Sequence, residues 1–167
     1  RFAWGSFFVH RILQADPHPG NYVFPGGNAG VVFLDFGCVR SFDVGFTDAW
    51  RGVFKAVIAD DRPAFARATR AAGMVRTERF DFDAHHAFVR YSLEPYLVDN
   101  FRFTDTYVKE VRRFSGMHQP NPRSMDVPPP WIWLARLHFG LHAVLSRLGA
   151  RGDFRGILRA ALDGISA

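Results

Sequence analysis

The stretch that decides the fold runs from Gln14 to Gly37 and reads QADPHPGNYVFPGGNAGVVFLDFG. Two prolines and a glycine within residues 17–20 exclude a regular helix at its start. Two short β-prone runs follow, at residues 22–24 and 31–34, and a segment rich in glycine and proline separates them. This pattern predicts a loop followed by a β-hairpin.

Polar side chains with the spacing of a phosphotransfer site flank this hairpin. Asn21 stands five residues after Asp16, which is the spacing of the protein kinase catalytic loop. In that loop the aspartate orients or deprotonates the acceptor hydroxyl and the asparagine binds magnesium. Pairing of the strands brings Asn21 to the same end as Asp35, where Gly37 allows a sharp backbone turn. The arrangement predicts a magnesium site, and the alternative is a structural turn made by an Asp/Asn pair.

The rest of the chain has helical periodicity. We therefore expect a mainly α fold with a small β-hairpin, an α+β arrangement like the C-terminal lobe of a protein kinase. One domain would span residues 1–167, with a catalytic loop at 14–21, a metal-binding loop at 35–37 and a helical remainder at 46–167. Predicted helices cover residues 2–13, 47–59, 63–72, 83–98, 104–114, 130–148 and 153–162, with Asp83 as an N-cap and residues 120–130 as an extended connector.

The two loop sequences carry a family resemblance. Ala-Asp-Pro-His-Pro-Gly-Asn at residues 15–21 and Leu-Asp-Phe-Gly-Cys-Val-Arg at residues 34–40 resemble the signature of the UbiB/AarF family of atypical kinases. The resemblance is sharp from Phe8 to Phe42 and looser beyond, although residues 129–149 look similar to a late helix of the family. Members of this family are kinase-like proteins linked to coenzyme Q and other prenyl-lipid metabolism.

The resemblance implies roles for five residues of the signature. Asp16 would be the catalytic-loop aspartate, Asn21 and Asp35 the magnesium ligands, and Gly37 the hinge of the metal-binding loop. His18 stands where protein kinases often keep a lysine that faces the phosphates, so an imidazolium there could stabilise the transferring phosphoryl group. The alternative for His18 is a loop histidine that bonds to nearby backbone. The implied cofactors are ATP and Mg²⁺.

The sequence departs from the family pattern in two respects. Gln14 stands where the family usually has a histidine, a residue that anchors the loop. Phosphoryl transfer also needs a nucleotide lobe with a phosphate-binding lysine, yet the only lysines, Lys55 and Lys109, follow the metal-binding loop. We therefore expect this chain to be a C-terminal lobe without its N-terminal nucleotide lobe, catalytically incomplete by itself.

The composition bears on the binding partners and the location that we expect for the protein. The formal net charge is +5, but the basic residues are scattered and no basic motif is interleaved with aromatic residues, so we expect no nucleic-acid partner. No apolar run is long enough to span a bilayer, and the single Cys38 suits a reducing compartment. We expect a cytoplasmic location, with peripheral membrane contact as an open alternative. His138 and His142 have the spacing of a metal-binding pair, but packing on a helix face is favoured.

Three functions remain as hypotheses. The first is a UbiB/AarF-type atypical kinase or ATPase that binds nucleotide and acts on an unidentified acceptor, with a prenyl lipid or a lipid-pathway protein as candidates. The second is a small-molecule phosphotransferase of the aminoglycoside or choline kinase kind, which the Pro-His-Pro-Gly run and the intact Asp-Phe-Gly disfavour. The third is a non-catalytic, nucleotide-binding pseudokinase regulator.

Overall fold

The structure is a computed structural model that describes residues 1–26, 30–115 and 121–165. The described part is mainly helical, as the sequence predicts. Its α-helices are α1 (Phe2–Phe8), α2 (Val44–Ala59), α3 (Arg62–Ala71), α4 (Phe82–Ser92), α5 (Asp105–Ser115), α6 (Pro129–Arg147) and α7 (Phe154–Leu162). Short 3-10 turns lie at Pro19–Asn21 and Glu94–Tyr96.

Antiparallel two-stranded sheets complete the described part. The predicted hairpin is confirmed, since β2 (Tyr22–Val23) pairs with β3 (Val32–Phe33). The other pairs are β1 (Ile12–Gln14) with β4 (Val39–Ser41), and β5 (Phe101–Arg102) with β6 (Arg151–Gly152). The prediction of one hairpin missed these two sheets. Residues 27–29 of the predicted turn, and residue 120 at the start of the predicted connector, lie outside the described residues.

The first helix is shorter than predicted. It ends at Phe8, and Arg11 then adopts a φ of +56°, a left-handed backbone conformation that stops the helix. The next three residues pair with Val39–Ser41, so the expectation of a helix to residue 13 is wrong. This strand leads directly into the catalytic loop, and its pairing holds the start of that loop beside the residues that follow the metal-binding loop.

Aspartates begin four of the helices. Asp43, Asp61, Asp81 and Asp153 precede α2, α3, α4 and α7, and each accepts a hydrogen bond from the backbone N–H three residues later. The prediction of Asp83 as an N-cap is wrong, because Asp83 lies inside the first turn of α4.

The fourth helix is also shorter than predicted. It ends at Ser92 rather than near residue 98, and a 3-10 turn at Glu94–Tyr96 follows. Pro95 accounts for the difference, because proline lacks the N–H that an α-helix needs and disfavours the helical conformation of the residue before it.

The main core joins α1 to the helices that follow the catalytic segment. Trp4 lies at its centre and packs edge-on against Phe54 of α2 and Tyr96. Arg51 of α2 donates to the carbonyl oxygens of Phe8 and Leu162, so one guanidinium ties together the ends of α1 and α7. The arrangement fixes α1, and hence the entry to β1, against the helical part of the chain.

Helix α6 connects this core to the catalytic loop. One face buries Leu134, Leu137, His138 and His142, which confirms packing for the histidine pair. Burial lowers the pKa of His138 to about 4, so this side chain is neutral near pH 7. No helix in the described ranges is both long enough and apolar enough to cross a bilayer.

Candidate active site

The catalytic loop leaves β1 and lies against helix α6. Pro17 is buried, and a Cβ added at Gly140 of α6 would collide with its ring. Only glycine at position 140 therefore allows the loop to approach the helix this closely. The sequence analysis missed Gly140, since nothing in a helical pattern marks a glycine that faces a loop more than a hundred residues away.

Asp16 and Asn21 contact each other within the catalytic loop. The amide nitrogen of Asn21 donates to Asp16 Oδ2 at 2.9 Å and to the Asp16 carbonyl oxygen at 3.1 Å. These bonds close the five-residue spacing into a compact turn. Because the amide nitrogen bonds to Asp16, the amide oxygen of Asn21 is the atom left to bind a cation.

Asp35 begins the metal-binding loop on the surface. Its Oδ1 accepts a hydrogen bond of 2.6 Å from the backbone N–H of Gly37, so the carboxylate shapes the turn that Gly37 makes. Its position beside the catalytic loop follows from the hairpin, because the Leu34 N–H donates to the Asn21 carbonyl oxygen at 3.0 Å. The structure thus brings Asn21 and Asp35 to the same end of the hairpin, as predicted.

Gln14 joins the two loops. Its Nε2 donates to the carbonyl oxygens of Asp16 and Asp35, at 3.2 and 3.1 Å, and its Oε1 accepts from the Asp16 N–H at 3.2 Å. The side chain is only 6% exposed, so water cannot replace these bonds easily. Gln14 therefore makes the anchoring contacts at the position where the sequence departs from the family pattern.

An arginine from α6 completes the surroundings of Asp16. Arg136 Nη2 lies 2.6 Å from Asp16 Oδ1 and forms an ion pair with it. This hydrogen bond, with a smaller contribution from Asn21, lowers the pKa of Asp16 although partial burial opposes the change. Asp16 is therefore a carboxylate at neutral pH. Sequence reasoning missed Arg136, which lies outside the two signature loops and is one of the chain's 19 arginines.

His18 makes the backbone contact that the second of its two predicted roles describes. Its Nδ1 accepts a hydrogen bond of 3.1 Å from the Gly20 N–H and caps the 3-10 turn that leads to Asn21. The ring is exposed and lines the same cleft as Asp16. The contact gives His18 a structural part in the loop, and its role toward a phosphoryl group stays a prediction.

The residues present suit magnesium in the chemistry of their donor atoms. Asn21 and Asp35 offer an amide oxygen and a carboxylate, the hard ligands that Mg²⁺ prefers. Within the described residues, no three His, Cys, Asp or Glu side chains cluster so that they could hold a metal ion by themselves. Magnesium commonly uses one or two protein ligands, and water and substrate phosphates complete its shell. A site with two protein ligands therefore suits a nucleotide-bound ion.

Comparisons with known proteins show what the segment that contains both loops is similar to. Residues 2–69, which contain both loops, match the family model of the ABC1 atypical kinase-like domain. Over 136 residues the chain is 29% identical to a Rattus norvegicus protein named atypical kinase COQ8B, mitochondrial. The resemblance to the UbiB/AarF family is confirmed. That alignment covers 78% of this chain and 25% of the relative, so the chain spans about a quarter of the relative's length. The UbiB/AarF-type signature thus lies in the segment where the structure joins the two loops.

Proposed function

We propose that the full-length gene product is a UbiB/AarF-type atypical kinase or ATPase. It binds Mg-ATP through Asn21 and Asp35 and uses Asp16 in phosphoryl transfer or ATP hydrolysis. The observation that carries the proposal is the bridge made by Gln14, which holds the backbones of Asp16 and Asp35 together. The connection with ubiquinone or other prenyl-lipid metabolism rests on the family resemblance alone.

The contacts of Asp16 favour one form of its chemistry. When bound, magnesium would supply positive charge to the phosphate oxygens of the nucleotide. Asn21 and Arg136 hold the two carboxylate oxygens of Asp16 in place and stabilise its charged form. A carboxylate with a lowered pKa is a weak base, so Asp16 would orient the hydroxyl of an acceptor or a water molecule more than fully deprotonate it.

The metal-ligand assignment is tested by Asp35→Asn in the full-length gene product. We expect weaker Mg-ATP binding in calorimetry, because an amide lacks the negative charge that holds the ion. Asp99→Asn makes the same change at an exposed carboxylate that pairs with Arg155, away from both loops, and should leave the affinity unchanged. Equal affinities for wild type and Asp35→Asn would contradict the assignment.

The catalytic assignment is tested by Asp16→Asn. We expect Mg-ATP to bind with wild-type affinity while phosphate release or transfer is lost, since an amide lacks the negative charge that pairs with Arg136 and would orient the attacking hydroxyl. Unchanged turnover would refute the role of Asp16. The ion pair with Arg136 also favours the alternative of a non-catalytic regulator, because Arg136 occupies one carboxylate oxygen of Asp16 and offsets its negative charge. For such a regulator, the wild type itself would bind Mg-ATP without turnover.

A further inference from the structure

A cleft of about 460 Å³ opens beside Asp16, on the side that faces helices α5 and α6. The catalytic loop forms one wall with Asp16 and His18, whereas Arg112 of α5 and Arg136 and Arg147 of α6 line the rest. We call this space the arginine cleft. It differs from the proposed metal site, whose ligand Asp35 does not line it.

The spacing of residues along the two helices builds the arginine cleft. Arg136, Gly140 and Arg147 are four and seven residues apart on α6, so they share one helix face. Between the two arginines, Gly140 lies against Pro17 of the catalytic loop, and the small Ala143 also lines the cleft. Arg112 approaches from the neighbouring helix. Arginines from two helices thus line one cleft beside Asp16.

The charges around the arginine cleft are not balanced. Its two carboxylates already have cationic partners, since Asp16 pairs with Arg136 and Asp105 pairs with Lys109 at 2.6 Å. Neither Arg112 nor Arg147 forms an ion pair with any residue in the described ranges. Two arginines without carboxylate partners, facing one cleft, provide the planar multiple donors that bind phosphate groups well.

We propose that the arginine cleft binds a phosphate or diphosphate group on the molecule that receives the phosphoryl group. This inference rests on the proposed function and names the substrate class for it. Asp16 and its partner Arg136 both line the cleft, so an anionic acceptor held by Arg112 and Arg147 would present its hydroxyl beside the Asp16 carboxylate. Either a soluble phosphate ester or a lipid head group could supply this chemistry.

The test uses pyrophosphate as the probe, with the full chain in EDTA and without nucleotide. Binding is followed by the broadening of the phosphorus NMR signal, in about 150 mM salt to screen nonspecific attraction. We expect the double variant Arg112→Gln/Arg147→Gln to lose about tenfold or more in affinity, as two charge-assisted contacts would predict. Asp35→Asn should bind pyrophosphate like the wild type, so failure of the metal assignment would not affect this result.

A matched control removes the same charge outside the arginine cleft. Arg113→Gln/Arg159→Gln alters an arginine on α5 that pairs with Glu110 and an exposed arginine on α7. We expect this variant to retain the wild-type affinity within about twofold. No binding by the wild type, or equal losses in the two double variants, would overturn the proposal.

Vesicles distinguish the two sources of the phosphate group. Phosphatidylcholine vesicles with and without phosphatidic acid are sedimented with each protein. Binding to the acidic vesicles that Arg112→Gln/Arg147→Gln abolishes and pyrophosphate competes away would support a lipid head group. Pyrophosphate binding without vesicle binding would support a soluble phosphate ester. Vesicle binding that both double variants retain, with no pyrophosphate binding, would contradict the proposal.

Discussion

The catalytic segment, residues 12–41, and the helical body, residues 44–162, are held together in different ways. In the catalytic segment Leu34 and Phe36 are 59% and 56% exposed. Strand pairing and the side-chain hydrogen bonds of Gln14 and Asn21 hold its loops in place. The helical body instead buries its apolar side chains in two clusters, the larger of which also takes in Leu13 and Ala15 of the catalytic segment. The site's geometry therefore depends on a few polar contacts and on the packing of Pro17 against Gly140, whereas most of the chain's stability comes from the helices behind them.

Truncating one leucine in each region should reveal the largest difference in stability between them. Leu158 of α7 is fully buried, so Leu158→Ala should cost about 3 kcal/mol in the free energy of unfolding through lost burial and a cavity. The same change at exposed Leu34 should cost less than about 0.5 kcal/mol. Urea unfolding of the two variants measures both values. Equal losses would show that the catalytic segment has a core of its own.

Sequence reasoning predicted the proximity of those candidate site residues that lie close together in the chain. Asn21 and Asp35 lie at the same end of a local hairpin. The turn-forming and β-prone residues of that hairpin predict it from the sequence. Strand β1 went unrecognised because three residues carry little periodicity and its partner β4 begins 25 residues after Gln14. Such non-local pairing is decided by tertiary packing.

The contributions of helix α6 to the site could not be predicted for a related reason. Arg136 reaches Asp16 across 120 residues of sequence, and Gly140 matters only because Pro17 lies on it. A helical pattern predicts which face is buried but not which loop will contact the other face. The sequence thus predicted the loop as a catalytic loop, which stays a prediction, whereas its contacts with α6 had to come from the structure.

Gly140→Ala should damage the site while leaving the helical body folded. The added methyl collides with Pro17 and displaces the catalytic loop, and a misplacement of about 1 Å can cost about 100-fold in turnover, or about 2.7 kcal/mol. Turnover of the full-length gene product and thermal unfolding are measured together. Gly5→Ala is the control, because a Cβ at Gly5 of α1 meets nothing within 4 Å. Wild-type turnover in Gly140→Ala would show that the loop does not need this close approach.

Gln14 offers the finest test, because it stabilises the catalytic segment without belonging to the core. Gln14→Ala removes both donors to the Asp16 and Asp35 carbonyl oxygens, and we expect a loss of about 1–2 kcal/mol in the free energy of unfolding. Hydrogen exchange at the Asp16 amide, which bonds to Gln14 Oε1, should accelerate more than exchange in α2.

Gln14→His introduces the residue usual in the family. It distinguishes the contribution of the hydrogen bonds of Gln14 from that of filling the buried space. An imidazole can donate from one ring nitrogen and accept at the other, so it can replace part of what the amide does. We expect protection of the Asp16 amide and stability to lie between those of Gln14→Ala and the wild type. If histidine and alanine were equally damaging, the loops of this chain would need an amide side chain at position 14. If histidine matched the wild type, one donor and one acceptor at position 14 would be enough to hold the catalytic loop beside the metal-binding loop.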